Sequence, residues 1–317
     1  MDERINETTV PREHERERLD VFLAGRFTYL SRTAWQKEIE RGRIYLNRER
    51  VESPGRRVRG GDIVRFDGRG FAEPEVDDRL TVLYEDEYLV CVDKPGNLPV
   101  HPAGRYFNNT LLRILAARTR ENYFPAHRLD RETSGVILLA KRKDVASRIQ
   151  RNFHSVTKSY VAIVHGRPAA RRFEIVVPIR DDPTALIKKK RVASPDGGEH
   201  ARTGFKALFS FGEYTLVRAF PETGRLHQIR VHLHHAGLPI VGDKLYGRDE
   251  RLFGRFVREG LTEDLLTALE MPRSALHSRS LKFYHPVLGR ELLIKAPVPD
   301  DFREFIAAKR RPVWPSP

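Results

Sequence analysis

Strand-length apolar runs, each closed by turn residues, fill the chain from Leu80 onward without regular alternation with helices. Two of them, Leu80–Tyr84 and Tyr88–Asp93, flank a short acidic turn. The others read "GVILLAK", "SYVAIVHG", "FEIVVPI", "FKALFSFGEYTLVRAF", "SLKFYHP" and "ELLIKAP". Helical spacing marks "NTLLRILAART", "DVASRIQRNF", "RLHQIRVHLHHAG" and "LTEDLLTALE". A parallel sheet needs a crossover between successive strands, and this order does not supply one. The expected fold class is α+β with a largely antiparallel mixed sheet. At 317 residues and 40% hydrophobic content, the chain can bury the core of one large domain and one small one. No repeat at the roughly 20–50-residue period of a solenoid is evident.

The first part of the chain is organised differently. Residues 1–16 are polar and are expected to form a loosely ordered arm. A small α+β domain is expected over 17–68. Leu19, Phe22, Leu23 and Phe27 share one face of a first helix, and "SRTAWQKEIERG" reads as a second. Ser31 is its N-cap and Gly42 its stop, with Trp35 and Ile39 on one face. "RIYLN", "RERVES", "PGRRV", "GGD" and "IVRFD" follow as short strands punctuated by turns. Residues 69–79, within "DGRGFAEPEVDDR", read as a linker. The large domain is expected over 80–303, and 304–317 as a basic, Pro-containing tail.

A net charge of +14 favours a polyanionic partner, RNA or DNA before an anionic membrane surface; a basic protein without such a partner is the plain alternative. Residues 41–60 hold seven Lys/Arg against two acidic residues. Arg32, Lys37, Arg41, Arg43 and Arg48 would present a basic face to phosphates, or simply a solvated one. No stretch approaches the roughly 18 apolar residues of a membrane span, so no membrane is expected. The single cysteine, Cys91, lies in the apolar run "YLVCVDKP" and reads as core. With no internal disulfide and no secretory signal, the expected compartment is the reducing cytoplasm.

Several stretches could carry chemistry. In "PAHRLDRETSG", Asp130 stands between Arg128 and Arg131, which favour its ionised form. That suits a nucleophile or a cation-stabilising group, and equally an Arg–Asp pair that orders a loop. "ETGRLHQIRVHLHHAG" places Arg225 and Arg230 near the start and middle of a helix with Ile229, Leu233 and Ala236 on its apolar face and Gly237 as its stop. Its histidines, His227, His232, His234 and His235, lack the Glu of HExxH and have no cysteine partner, so no metal is expected. Lys158 and Tyr160 open a strand, where a tyrosine is ordinarily a packing residue. Lys188–Arg191 is a run of four basic residues, solvated or facing RNA.

Taken together, "KPGNLPVHP", "HRLDRETSGVILLAK", "KSYVAIVHG", "TGRLHQIRVHL", "GLPIVGDKLYG" and "LHSRSLKFYHP" resemble the RluA/RluD family of pseudouridine synthases over nearly all of Leu80–Phe302. Arg18–Asp67 resembles the S4 RNA-binding domain that precedes the catalytic domain in many members. The resemblance implies isomerisation of uridine to pseudouridine in RNA without a metal or organic cofactor. It implies that Asp130 is the catalytic aspartate, Tyr160 the active-site tyrosine and Arg230 the arginine paired with the aspartate. Arg128 matches the arginine that fills the space left by a flipped base. His127, Arg131, Lys158, Arg225 and His227 are expected to contact RNA beside it. Leu226 stands where Ser or Thr is common.

In this reaction the N1–C1′ bond breaks, uracil turns, and C5 joins C1′. One carboxylate in a closed pocket suffices, whereas hydrolytic glycosidases usually use two and a water. Whether Asp130 attacks the sugar, attacks the ring or promotes glycal formation stays open at this stage. Large-subunit ribosomal RNA is the expected target, transfer RNA the alternative, and a monomer the expected state. Two further readings are a non-catalytic RNA-binding protein on this fold and a base-releasing glycosidase. Glu132 is the only nearby second carboxylate in sequence for the latter.

Overall fold

The computed structural model describes residues 5–27, 30–67, 73–102, 106–185 and 190–310. The chain divides into two compact units, residues 1–76 with 101–114, and residues 77–100 with 115–317.

The first unit contains β1 (Ile5–Thr9), α1 (Leu19–Arg26), α2 (Arg32–Glu40), β2 (Ile44–Leu46), β3 (Glu49–Val51) and β4 (Ile63–Asp67). Its antiparallel sheet runs β1-β4-β2-β3. The expected apolar faces meet on it: Leu19, Phe22, Leu23, Trp35 and Ile39 are buried with Ile44, Val64 and Phe66. Ser31 Oγ accepts from the Ala34 N–H at 3.2 Å, as an N-cap should. The Trp35 indole N–H donates to the Phe27 carbonyl at 3.1 Å, so the one polar atom of this buried ring is satisfied.

Three expectations give way here. The arm is not loose, because residues 5–9 pair with β4 along its outer edge. "PGRRV" and "GGD" form turns, with only an isolated bridge between Arg18 and Arg57. The segment 101–114, expected in the large domain, packs in the small unit. Phe107 joins the helix core, and the Glu73 carboxylate accepts the backbone N–H groups of Phe107, Asn108 and Asn109 at 2.8 Å. One side chain from the expected linker thus satisfies three donors that no strand partners.

The second unit adds β5 (Thr81–Glu85), β6 (Leu89–Lys94), α3 (Leu111–Thr119, shared at its start with the first unit), β7 (Phe124–Pro125), β8 (Ser134–Ala140), α4 (Lys143–Arg151) and β9 (Thr157–His165). There follow β10 (Arg172–Val176), β11 (Ile179–Asp181), β12 (Arg191–Ala193), β13 (Arg202–Phe211), β14 (Tyr214–Pro221) and α5 (Gln228–His235). The last elements are α6 (Arg251–Glu259), α7 (Glu263–Leu269), β15 (Leu276–Tyr284), β16 (Glu291–Lys295) and α8 (Asp300–Lys309). One sheet runs β10-β13-β14-β9-β15-β8-β6-β5, with β16 beside β15 and β7 beside β8. Among the described residues, β15 with β8 is its one parallel pairing. Every residue of β8 is buried, which is why the sequence there reads as an unbroken apolar run. Cys91 lies fully buried in β6, where burial pushes its thiol pKa up. The tail expected from 304 begins as helix: α8 buries Phe302 and Phe305, and Arg273 holds Asp301 at 2.7 and 2.9 Å.

Gly135 opens β8 with φ +102°, and a Cβ there would lie 2.2 Å from the Ser278 carbonyl oxygen. The Thr-Ser-Gly turn therefore lets β15 approach to pair Ser278 with Gly135 on one side and Tyr160 on the other. Gly135→Ala is expected to destabilise the protein by about 3 kcal/mol, from positive φ and overpacking together. Urea unfolding measures this; a loss below about 0.5 kcal/mol, the level of an ordinary surface change, would contradict it.

Candidate active site

Asp130 sits in the turn between β7 and β8, closed by the Thr133 N–H to the Asp130 carbonyl at 3.1 Å. The next carbonyl, of Arg131, accepts from the Leu98 N–H at 3.0 Å and from Lys94 Nζ at 3.1 Å. Lys94 is fully buried and donates also to the Pro95 and Leu98 carbonyls, each at 2.8 Å. Burial draws its pKa down to about 7, while its three acceptors match the three N–H bonds of an ammonium. The "KPGNLP" stretch thus acts as a clamp on the backbone that carries Asp130.

The carboxylate itself is held from α5. Arg230 Nη1 donates to Asp130 Oδ2 at 2.8 Å, while its Nε and Nη2 grip Asp243 at 2.6 and 2.9 Å. Asp243 is wholly buried and accepts in addition from the N–H groups of Leu245 and Tyr246 at 3.0 Å. Its pKa falls to about 2: burial opposes ionisation, and Arg230 with the two N–H donors outweighs it. At Asp130 burial also opposes ionisation, but the charges of His227, Arg230 and Arg128 and the Arg230 hydrogen bond leave its pKa lowered. Burial takes His227 down to about 4, so its ring is neutral at pH 7 and Arg230 carries the effect there.

Asp130 Oδ1 is not taken by Arg230. It faces His227 Nε2 at 3.9 Å, and 20% of the side chain is open to solvent. His227, in the left-handed conformation just before α5, has Nδ1 2.9 Å from the Tyr246 hydroxyl. That hydroxyl accepts the Arg191 N–H at 2.8 Å. Tyr160, buried in β9, pairs across the sheet with Ser278 and Ala219. Burial pushes its phenol up to about 12, the Ser278 hydrogen bond opposes this, and the Asp130 charge adds to it. It is a neutral phenol at pH 7.

The structure thus brings Asp130, Arg230 and His227 together, with Tyr160 in electrostatic range. Arg128 is exposed, and its side chain has no ion pair or hydrogen bond among the described residues. Other expected RNA contacts are turned inward. His127 Nε2 accepts the Leu138 N–H at 3.1 Å and its ring stacks on Phe153. Lys158 is buried over the same phenylalanine. Arg225 precedes α5 rather than starting it, and braces Glu199 and the His200 carbonyl. Arg131 pairs with Glu132. Glu132 is bound by Lys244 at 2.9 and 3.0 Å and by the Ser274 N–H at 2.9 Å, so it is tied up as a structural anion and does not serve as a second catalytic carboxylate.

In the small unit, Arg32 is tied to buried Asp20, and Arg41 and Arg43 to Glu38. Lys37 and Arg48 stay exposed without side-chain partners among the described residues. Lys188 and Lys189 lie outside the described residues; Lys190 pairs with Glu250 and Arg191 with Asp181. His232 and His234 go to separate partners, Thr203 and the Tyr246 carbonyl. Among the described residues no group of three or more His, Cys, Asp or Glu is placed to hold a metal ion, and no helix is long and apolar enough to cross a membrane.

An ionised, partly open carboxylate backed by arginine, with a neutral phenol in electrostatic range, can serve as a nucleophile or a cation-stabilising group. The family described as RNA pseudouridylate synthase matches residues 88–235, and the S4 domain matches 17–64. The chain is 34% identical to "Ribosomal large subunit pseudouridine synthase D" of Vibrio cholerae, over 93% of this chain and 91% of that protein. The protein of the same name from Xanthomonas campestris is 33% identical over 98% and 94%. The solved structure of "Human RNA Pseudouridylate Synthase Domain Containing 4" superposes with a TM-score of 0.57 at 32% identity, over 72% of this chain and 92% of that one. The chain belongs to the RNA pseudouridylate synthase family and is an isomerase acting on RNA.

Asp243, Lys94 and Tyr246 are absent from the residues singled out in the sequence, although each lies within or beside a stretch quoted there. Asp243→Asn is expected to loosen Arg230, raise the Asp130 pKa and cut turnover by about 10²-fold. The acid limb of the kcat/KM profile should move to higher pH; an unmoved limb would contradict the bridge. Burial also draws His127, His165 and His227 down to about 4 and His277 to about 3. Between pH 6.5 and 4 the unfolded chain binds protons at these four that the folded chain does not, so stability falls as pH falls. Burial raises Asp93 to about 6, which acts in the opposite sense and offsets one of them. The expected net effect approaches about three protons, each worth up to about 1.4 kcal/mol per pH unit. Urea unfolding at pH 7, 6 and 5 measures it, and pH-independent stability would exclude it.

Proposed function

We propose that this chain isomerises uridine to pseudouridine in large-subunit ribosomal RNA, with Asp130 as its catalytic carboxylate. The observation that carries this reading is the Arg230–Asp130 bridge, which holds an ionised carboxylate with Oδ1 left over for substrate. The printed names of relatives that match over nearly the whole chain support the choice of RNA. The S4 match supports an anchoring role for the first unit, in which exposed Lys37 and Arg48 meet phosphates. The cytoplasm is where such an RNA is met.

Extrusion of the target uridine costs a few kcal/mol, on the order of one unstacked base. Arg128 offsets part of this by entering the vacated space. The N1–C1′ bond then breaks with Asp130 Oδ1 against the substrate, Arg230 keeping that carboxylate charged and aimed. The uracil turns, C5 bonds to C1′, H5 leaves as a proton and N1 is protonated. Tyr160, protonated in the free enzyme, supplies a wall for the base and a phenol hydrogen bond.

Asp130→Asn is expected to reduce tritium release from 5-tritiated uridine in RNA by on the order of 10⁴-fold while RNA affinity stays within about twofold. Near-normal release would remove Asp130 from its role, and free uracil in the wild-type reaction would make the enzyme a glycosidase. Pseudouridine mapping of total RNA from cells with and without the chain distinguishes ribosomal from transfer RNA as target.

A further inference from the structure

On the last strands of the large sheet the register sets three cations side by side. Arg172 of β10 is opposite Lys206 of β13, and Lys206 is opposite Arg218 of β14. Directly opposed residues project from one face a few ångströms apart, where like charges repel. None of the three side chains has an ion pair or hydrogen bond among the described residues, and Arg218 Nε is buried without a partner. Further along the same face the charges are matched: Arg202 pairs with Glu174 and lies 3.4 Å from Glu222. Between these two zones stands Gly204, where an added Cβ would meet nothing within 4 Å. The result is a hollow of about 380 Å³ whose lining includes Arg172, Gly204, Lys206, Arg218 and Phe220, the last 37% exposed, with Phe173 and Phe205 of the same strands also contributing.

The position of this hollow follows from the strand alternation. Tyr160 is opposite Ala219, Ala219 opposite Phe205, and Phe205 opposite Phe173. Each cation is a chain neighbour of one of the last three and so points to the other face of the sheet. The hollow is therefore on the face away from Tyr160, next to the free edge of β10.

We propose that this hollow is a second RNA-binding surface, which takes the phosphodiester backbone of the substrate RNA after the strand passes around the β10 edge. Three unmatched cations in a row suit successive phosphates, and a half-open phenylalanine at the rim offers a stacking face to a base. A compact anion would leave the row partly unmatched, and an acidic peptide would leave Phe220 without a ring to stack on. The inference rests on the reading of this chain as an enzyme of ribosomal RNA.

Two variants of the full chain test it. Arg172→Gln/Lys206→Gln removes two of the charges and spares the partly buried Arg218. Gly204→Glu places a carboxylate in the hollow at a position with room for it. Binding of a large-subunit ribosomal RNA transcript is measured over a range of salt. The double variant should flatten the log K against log salt slope by about 1.5 to 2, and both variants should lower affinity at low salt by about 10-fold or more. Tritium release from a short uridine-bearing stem-loop, too small to round the sheet edge, should match wild type. Unchanged slope and affinity in both variants, with wild type active, would overturn the inference and leave the enzymatic reading standing. So would loss of binding to anionic vesicles or polyglutamate with no change for RNA. A wild-type chain that releases no tritium from either RNA overturns the enzymatic reading instead.

Discussion

Arg230 is shared between two aspartates, and the arrangement of the catalytic unit turns on that sharing. Its guanidinium gives one edge to Asp243 and one N–H to Asp130, a residue 100 positions away in the chain. Asp243 is the fixed end: it is fully buried, held by two backbone N–H groups, and ionised at any physiological pH. Asp130 is the open end, with Oδ2 held by Arg230 and part of the side chain exposed to solvent. A buried arginine with a single carboxylate would either follow that carboxylate or neutralise it. With a second, deeper carboxylate, the guanidinium has an orientation that does not depend on Asp130, and Asp130 is drawn toward a site already set.

The rest of the unit serves the same end from the backbone side. Lys94 has no carboxylate partner in its hydrogen bonds; it gathers the carbonyls of Pro95, Leu98 and Arg131. The Thr-Ser-Gly turn carries the chain from Asp130 into β8, and Gly135 allows β15 close enough to bring Ser278 beside Tyr160. The candidate groups thus come from separate segments: Asp130 from a turn held by Lys94, Tyr160 from β9 and Arg230 from α5.

What was legible in the sequence follows the physics of local pattern. The helix pair of the small unit was readable from Leu19, Phe22, Leu23 and Trp35 and from a Ser31 cap that depends only on near neighbours. β8 was readable because both its faces are buried. β1 was not, because Ile5–Thr9 is held by backbone pairing to β4 and shows no apolar alternation. α8 was missed because Phe302 and Phe305 are set among charges that read as a tail. The Asp130–Arg230 pair came from family resemblance, since no spacing rule joins residues so far apart. The direction of His127 and Lys158 was not legible for a related reason: a polar residue type says nothing of where its side chain points, and the fold turns both inward against Phe153.

The sheet order places β15 between β8 and β9, both synthesised more than a hundred residues before it. Until β15 emerges, the two strands beside the active residues each lack a neighbour at the sheet's midline. Until then two apolar strand edges are open to wrong partners. A chain cut before Leu276 would have no strand to join β8 to β9, and the sheet could not close at its centre.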